Sequence, residues 1–339
     1  MVLQDFEKKI FKFIKDYKIF NKYDKILLGV SGGKDSISLL NCMSKLSHIY
    51  ELELSVAHLN HGMREEAGRD EDFVRQICKK LNVPFFVEKK EVFKYASEKK
   101  VGVEVAGRDL RYDFFFRTLK ELNYDKIATA HHMDDLAETI IYRIIRGTGI
   151  YGLAGMVPLE GVLAKPMLCV SLEEIENYVT INNIPYVEDK YNYSLEYSRN
   201  KIRYEISPKM KEINPSFQKS FFRLASTVWE YRDEVEKKFN ERVHKTDENS
   251  YKIKLENDFF DSEVLRLTFL KFQKYPPNME ETKKVLLMKN GGYRRLKGLE
   301  VVKEKGFLIV KQWTLTLHKS SIMIIFELKK GGLIFAKKK

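Results

Sequence analysis

The chain has 339 residues, of which 44% are hydrophobic and 32% charged, a globular composition that excludes a wholly disordered protein. No apolar run approaches the about 20 residues that a membrane-spanning helix needs. The three cysteines form no C-x-x-C pair, which argues against a zinc site, an iron–sulfur site or a disulfide-rich secreted fold. The length predicts two or three domains. The cysteine pattern and the lack of a long apolar run predict a soluble, cytoplasmic protein.

The net charge of +12 is confined to one end of the chain. Residues 283–339 hold 15 of the 60 Lys and Arg but 3 of the 48 Asp and Glu, which leaves 45 of each sign in residues 1–282. A Lys-rich end is often a solvated surface. Its confinement to one end nevertheless favours binding of a polyanion.

The N-terminal half alternates strand-length apolar segments with helix-length amphipathic ones. The spacing predicts a helix over 4–18 and strands over 25–30, 52–59, 84–89 and 126–131. This order is typical of βαβ units, so the predicted fold is α/β with a doubly wound parallel sheet, covering residues 1–212. Ligands of such sheets bind beyond the carboxyl ends of the strands.

The pattern changes after Asn214-Pro215. A long amphipathic helix is predicted from Phe217 to Phe239 and further helix over roughly 259–289, whereas the sequence from Gly291 predicts short strands with glycine-containing turns. We therefore expect a mostly helical domain over 213–290 and a basic, β-rich C-terminal segment over 291–339.

The segment SGGKDS follows the first predicted strand and opens a helix. It differs from the Walker loop G-x-x-x-x-G-K-S/T because its lysine precedes a carboxylate. Glycines let backbone N–H groups approach a phosphate, and the hydroxyls and the lysine add donors, so five residues are predicted to bind phosphate: Ser31, Gly32, Gly33, Lys34 and Ser36. A strand-to-helix turn without a ligand is the alternative. A carboxylate among phosphate oxygens is repulsive unless a cation lies between them, so Asp35 indicates Mg²⁺.

A second polar cluster follows the fourth predicted strand, in TAHHMDDLAE. With a helix beginning at about Met133, His131, Asp135 and Glu138 lie opposite the apolar stripe and project toward one cleft. His131 alone is more often a hydrogen-bonded structural residue, and a transition-metal pair with Asp135 lacks a further ligand. Together the two residues predict a catalytic site.

Two further motifs follow predicted strands. His58 and Asn60 end the second strand, and Arg108 and Arg111 lie one helical turn apart in GRDLRY, a spacing suited to clamping phosphate oxygens. Each arginine alone would more often form a surface ion pair.

The order of these motifs resembles a known family. SGGKDS resembles the loop of the N-type ATP pyrophosphatases, which split ATP into AMP and pyrophosphate while activating a substrate oxygen. HLNHGMR, GRDLRY, TAHHMDDLAETIIYRIIRGTGIYGLAGM, KPML, EDKYNY and RNKIRYEISPKM together resemble the tRNA(Ile)-lysidine synthetases. The resemblance is dense over 24–215 and loose over 216–312, and it ends at Trp313.

The chain departs from that family's pattern at three positions. Gly107 replaces the usual Ala, Lys165 the usual Arg of R-P-L-L, and Tyr191 the usual Ser of E-D-x-S-N. The change at Lys165 removes a bidentate donor. The change at Tyr191 puts the contacts of its loop in doubt.

The resemblance implies a two-step reaction on the wobble cytidine of the isoleucine tRNA with a CAU anticodon, which reads AUA. The cytosine carbonyl oxygen attacks the α-phosphate of ATP and releases pyrophosphate, and the ε-amine of free L-lysine then displaces AMP. It also implies that residues 213–290 bind the tRNA. No membrane partner is expected, and a homodimer stays open.

Roles follow from the resemblance together with the residue types. Asp35, Arg108, His131 and Asp135 are predicted to be catalytic, with Asp35 and Asp135 as Mg²⁺ ligands and His131 or Asp135 as the base that takes the amine proton. ATP is predicted to contact SGGKDS and three further residues, His58, Asn60 and Arg111. The alternatives are a related tRNA-thiolating or amidating enzyme and a nucleotide- or tRNA-binding module without turnover.

Overall fold

The computed structural model describes residues 3–62, 67–187, 198–272 and 274–312. Tyr191 and the strands predicted beyond residue 312 lie outside these ranges. The chain divides into two compact units, one up to Glu230 and the other from Tyr231 onward. The division into three domains at residues 212 and 290 stays a prediction.

The first unit alternates strands and helices as the sequence predicts. Its elements are α1 (Asp5–Asp16), β1 (Lys25–Gly29), α2 (Lys34–Tyr50), β2 (Glu53–Asn60), α3 (Ala67–Leu81), β3 (Phe85–Lys89), α4 (Val92–Lys99), α5 (Val103–Glu121), β4 (Lys126–Ala128), α6 (Met133–Ile145), α7 (Ile150–Leu153), β5 (Leu159–Glu160), β6 (Leu163–Ala164), α8 (Leu172–Ile181), α9 (Ser198–Lys201), a π-helical turn (Ile202–Ile206), α10 (Ser207–Ile213) and the start of α11 (Phe217–Arg242).

A six-stranded sheet in the order β3-β2-β1-β4-β6-β5 forms the centre of the first unit. All neighbours are parallel except β5 and β6. Successive connections go from β1 outward through β2 to β3 and then return to β4 on the other side of β1. The carboxyl ends of β1 and β4 therefore flank the point where the strand order reverses, which is where doubly wound sheets bind ligands.

Helices cover both faces of this sheet. In β1, Ile26 and Leu28 belong to one buried cluster and Leu27 belongs to another, because alternate side chains of a strand point to opposite faces. All three are fully buried. A strand that is covered on both faces is apolar throughout, and this explains the run KILLGV.

The first helix is anchored by a buried carboxylate. Glu7 is fully buried, and the Tyr178 hydroxyl of α8 donates to its Oε1 over 2.8 Å. Lys45 of α2 forms an ion pair with the same oxygen. Helix α1 is thus tied to the next helix, α2, and to α8, which lies far from it in the sequence.

The second unit contains the end of α11, β7 (Val243–Asp247), β8 (Ser250–Lys254), α12 (Phe260–Lys271), α13 (Met279–Leu286), β9 (Tyr293–Leu296), β10 (Leu299–Glu304) and β11 (Phe307–Gln312). Its antiparallel sheet has the order β7-β8-β11-β10-β9. Strands β7 and β8 fall between the two predicted helical stretches, in a part of the predicted helical domain for which no strand was expected. The period-two burial of Ile253 and Leu255, after a turn at Glu248 and Asn249, is the missed strand signal.

Arg242, at the end of α11, is 1% exposed and binds three carboxylates of the second unit. Its guanidinium reaches Asp258 (2.6 Å), Glu256 (2.8 Å) and Asp261 (3.1 Å). Within the described ranges no helix is both long and apolar enough to cross a membrane.

Candidate active site

The predicted phosphate loop connects β1 to α2. Gly33 is the N-cap of α2, and Gly32 has a φ of +101°. The Ser36 hydroxyl accepts from the backbone N–H groups of Ser31 and Gly32, both over 3.2 Å, and donates to the Gly33 carbonyl over 2.9 Å. Ser36 therefore braces the loop, and the first turn of α2 supplies the N–H groups that lack intrahelical partners.

Lys34 is directed to another helix rather than into the loop. Its Nζ lies 3.1 Å from the Glu176 Oε1 of α8. Burial lowers the pKa of Lys34, but the bond to Glu176 and the charge of Asp35 outweigh burial and raise it. A phosphate contact by Lys34 thus has to compete with this ion pair.

Asp35 lies in the first turn of α2 with one carboxylate oxygen unsatisfied. Its Oδ1 is buried without a hydrogen-bond partner among the described residues. Burial raises the pKa of Asp35, and the charge of His132 partly opposes this. A buried oxygen that can only accept fits a cation. The described ranges contain no cluster of three or more metal-ligating side chains, but Mg²⁺ commonly uses one or two carboxylates together with substrate phosphates.

His132, which the sequence analysis did not select, lies at the centre of the acidic groups. It is the N-cap of α6 and 3% exposed. Its Nε2 is 3.4 Å from Asp135 and 3.9 Å from Asp35, and its Nδ1 is 3.6 Å from Asp134. Burial lowers the pKa of His132, but the carboxylates, Asp135 foremost, outweigh burial and raise it to about 9. At neutral pH this ring is a cation between Asp35 and Asp135.

Two arginines, more than 60 residues later in the chain, bind the carboxylates of α6. Arg203 of the π-helical turn donates to both oxygens of Glu138, over 2.7 and 2.9 Å, and to Asp135 over 2.8 Å. Arg199 lies within 3.4 Å of the same two carboxylates. Their R-x-x-x-R spacing on one helix face is a signal that the sequence contained.

Asp135 has both oxygens engaged. Oδ1 accepts from Arg199 and Arg203, and Oδ2 accepts from the backbone N–H of His132 over 3.1 Å. Burial raises the pKa of Asp135, but His132 and the arginines outweigh it and hold the pKa well below its usual range. The two predicted metal ligands therefore differ. Asp35 has a carboxylate oxygen that accepts no hydrogen bond from the described residues, and Asp135 has none.

His131 is neutral and held by its strand. Its Nδ1 lies 2.8 Å from the Thr129 hydroxyl, and no described residue bonds its Nε2. Burial lowers the pKa of His131 to about 3, and Arg199, Lys165 and Arg108 add to this while Asp135 opposes it.

His58 and Asn60 both form hydrogen bonds at the carboxyl end of β2. Nδ1 of the buried His58 bonds the Val30 carbonyl over 2.9 Å and so ties β2 to the end of β1. Asn60 is also buried, donates to Glu71 over 3.1 Å and accepts from the Gly62 N–H. Neither side chain needs a nucleotide to explain its place.

Arg108 and Arg111 are both exposed on α5. The Arg108 guanidinium lies 4.8 Å from the centre of the Tyr112 ring, and Arg111 Nη2 lies 3.3 Å from His61 Nε2. Neither forms an ion pair with a carboxylate in the described part of the chain. Both guanidinium groups therefore keep donors for an anion.

The chain was compared with known proteins. The PP-loop domain family matches residues 2–210. A tRNA(Ile)-lysidine synthase of Petrotoga mobilis is 67% identical over 311 residues, which cover 92% of this chain and 100% of that protein. A tRNA(Ile)-lysidine synthase of Thermosipho africanus is 40% identical over 232 residues, which cover 68% of this chain and 54% of that protein.

The chain therefore spans the whole of the first relative but about half the length of the second. Among solved structures, the U34-tRNA thiolase NcsA of Methanococcus maripaludis, with its 4Fe–4S cluster, matches with a TM-score of 0.55 and 18% identity, covering 66% of this chain and 78% of that one. At that identity the likeness shows the fold alone.

Proposed function

The chain belongs to the tRNA(Ile)-lysidine synthase family, and from that membership we propose that it ligates free lysine to the wobble cytidine of the tRNA(Ile) that reads AUA. It is an ATP-dependent ligase with a PP-loop domain, and we assign it to the cytoplasm. The observation that best supports the assignment is Asp35, whose unsatisfied oxygen lies beside the phosphate loop where the strand order reverses.

In the first step, the loop and α2 hold the departing pyrophosphate. The N–H groups of the first turn of α2 face the developing negative charge, and the dipole of the helix adds to them. Asp35 would hold Mg²⁺ through its free Oδ1. When bound, Mg²⁺ neutralises phosphate oxygens that would otherwise repel this carboxylate. The His132 cation keeps Asp35 and Asp135 close together despite their like charge.

In the second step, the attacking amine must lose a proton, because an ammonium group with a pKa near ~10.4 has no free lone pair. Both Asp135 oxygens are engaged by N–H donors, which leaves Nε2 of His131 as the acceptor. A ring with a pKa of about 3 does not deprotonate the free ammonium group, so we assign to it the proton that becomes acidic as the amine bonds to the cytosine carbon. Asp135 has a positioning role, because its charge interacts with the ring of His131.

The cysteines argue against a thiolating enzyme. Cys42, Cys78 and Cys169 are all buried free thiols. Burial raises the pKa of Cys78 and of Cys169 to about 12, so neither is a thiolate at neutral pH. A binding module without turnover would not need Asp35, His131, Asp135 and Arg108 together.

We further propose that the basic end of the second unit holds the RNA backbone. Residues 283–312 carry nine Lys and Arg against two Glu, including Arg294, Arg295 and Lys297 around one β-turn. Replacing these three residues by Ser should flatten the dependence of log affinity for tRNA on log salt by a slope of about 2–3, because each lost phosphate contact removes counterion release.

The decisive experiment is mass analysis of tRNA(Ile) incubated with ATP, lysine and the protein. We expect a lysine-sized addition at one cytidine, and tRNA-dependent release of pyrophosphate without lysine. Asp35→Ala should abolish the pyrophosphate while leaving tRNA affinity nearly unchanged, and Asp113→Ala, an exposed carboxylate on α5, is the matched control. A sulfur- or ammonia-sized addition would identify a thiolating or amidating enzyme, and no addition with intact tRNA binding would identify a binding module.

A further inference from the structure

Lys165 is a buried lysine without a charged partner among the described residues. It directly follows β6 and is 6% exposed, yet its Nζ forms no ion pair or hydrogen bond with any residue of the described ranges. Lys126, on the neighbouring strand β4, shows the usual arrangement. It is 12% exposed and forms an ion pair with Asp24 at the opposite edge of the sheet.

A buried ammonium group without a counter-charge destabilises the folded chain. Burial lowers the pKa of Lys165, and Arg108 lowers it further, while Glu160 is too far for an ion pair and only partly offsets both. An unpaired charge at such a position is expected where a ligand supplies the missing anion.

The position of Lys165 is that of a substrate-binding group. The Thr129 N–H donates to the Ala164 carbonyl over 3.0 Å, which places Lys165 beside the strand end that leads to His131. Strands lie about 4.8 Å apart, so Lys165 is about 10 Å across the sheet from the loop after β1, within reach of a triphosphate. The charges of Lys165 and Arg108 both lower the pKa of His131.

Other cations of the site are already paired. Lys34 binds Glu176, and Arg199 and Arg203 bind Asp135 and Glu138. The charges left for a phosphoryl group away from the loop are those of Lys165 and the exposed arginines of α5.

We propose that Lys165 binds the α-phosphoryl group of the nucleotide, opposite the phosphate loop that holds the pyrophosphate. The identity of the nucleotide rests on the proposed function. In the first step a bond forms between the cytosine oxygen and the α-phosphorus, and the bond from that phosphorus to the bridging oxygen breaks, with its electron pair leaving on pyrophosphate. Lys165 stays protonated and neutralises the non-bridging oxygens. In the second step a bond forms between the lysine ε-nitrogen and the cytosine carbon, that nitrogen gives up a proton, and AMP leaves with the electron pair of the broken carbon–oxygen bond. Lys165 faces the same phosphoryl oxygens.

Binding of AMP and of adenosine tests this contact without any chemistry. Lys165→Met keeps the length of the side chain and removes its charge. We expect AMP to bind about 10–100-fold more weakly by calorimetry, as for loss of a charge-assisted hydrogen bond, with adenosine unchanged. Lys165→Arg should retain most of the affinity. Equal AMP affinity in wild type and Lys165→Met, or wild type that binds AMP no better than adenosine, would overturn the proposal.

Thermal melting separates this role from a structural one. Without ligand, Lys165→Met should melt at the same temperature as wild type or higher, because it removes a buried unpaired charge. Lys126→Met is the matched control. It should melt at a lower temperature than wild type, because Asp24 loses its ion-pair partner, but it should bind AMP with normal affinity. A fall in the melting temperature of Lys165→Met with normal AMP binding would show a structural lysine.

Kinetics distinguish the phosphoryl group from the other anion in the reaction, the carboxylate of free lysine. Lys165→Met should slow tRNA-dependent pyrophosphate release measured without lysine. A normal rate of release with a raised KM for lysine would assign Lys165 to the carboxylate and overturn the proposal. Wild type could release no pyrophosphate with tRNA while Lys165→Met still binds AMP more weakly than wild type does. In that case the contact with the α-phosphoryl group holds and the proposed function fails.

Discussion

Removing Arg203 isolates the energy of the ion cluster behind the site. Arg203 donates twice to Glu138, which is 3% exposed, so Arg203→Met leaves a carboxylate buried without its main partner. Removing one member of a fully buried pair costs about 3–5 kcal/mol. The Arg203 side chain is 35% exposed, and Arg199 still lies 3.4 Å from Glu138, so water and the second arginine compensate in part. We therefore expect a loss of about 2 kcal/mol.

For a unit of this size that loss corresponds to a melting temperature lower by about 4–8 °C, which circular dichroism measures. The double variant Glu138→Gln/Arg203→Met removes the buried charge together with its partner. Its loss should be smaller than the sum of the two single losses by at least about 1 kcal/mol. Strict additivity, or an Arg203→Met protein that melts as wild type does, would refute the assignment of Arg203 as the main partner of Glu138.

Three other perturbations test separate parts of the fold. Burial raises the pKa of Glu7, but its hydrogen bonds outweigh burial and hold the pKa below the usual 4.5. Ionised Glu7 therefore stabilises the fold above a pH of about 4.5, and this stabilisation is lost on acidification. Glu7→Gln should make the melting temperature fall less steeply below a pH of about 4.5. Arg242→Met should cost about 3–5 kcal/mol in denaturant unfolding, because Asp261, 4% exposed, would lose its cationic partner. Gly32→Ala should weaken ATP binding in calorimetry, because a φ of +101° is strained for alanine by about 1–3 kcal/mol, whereas Gly68→Ala, with open space around it, should bind as wild type does.

Local patterns in the sequence were sufficient to predict the elements that carry the site. The apolar run KILLGV predicted β1 because both faces of that strand are covered, and the change to helical spacing after His132 predicted α6. The loop between β1 and α2 lies where it was expected because glycines determine its backbone. These features depend on neighbours within a few residues.

Most of the missed features of the site depend on partners far along the chain. The phosphate contact of Lys34 stays a prediction, but its ion pair with Glu176 of α8 was not expected, because only the fold brings the two residues close. Glu138 was seen as one side of a cleft, whereas the structure fills that side with Arg203, 65 residues later. His132 was passed over for His131 because the sequence does not reveal which of two adjacent rings an N-cap directs inward.

The anchoring of α1 has a consequence for how the chain is made. Glu7 is synthesised 171 residues before Tyr178, whose hydroxyl binds it. Strand β1 likewise waits for β4, about 100 residues on, before its second edge is paired. At about 5–20 residues per second, the first helix exists for roughly 10–30 s of synthesis with its acidic side chain unburied. Closure of the first unit is thus a late, long-range event. Until then the incomplete first unit exposes surface that is buried later, and a chaperone would protect the nascent chain most at this stage.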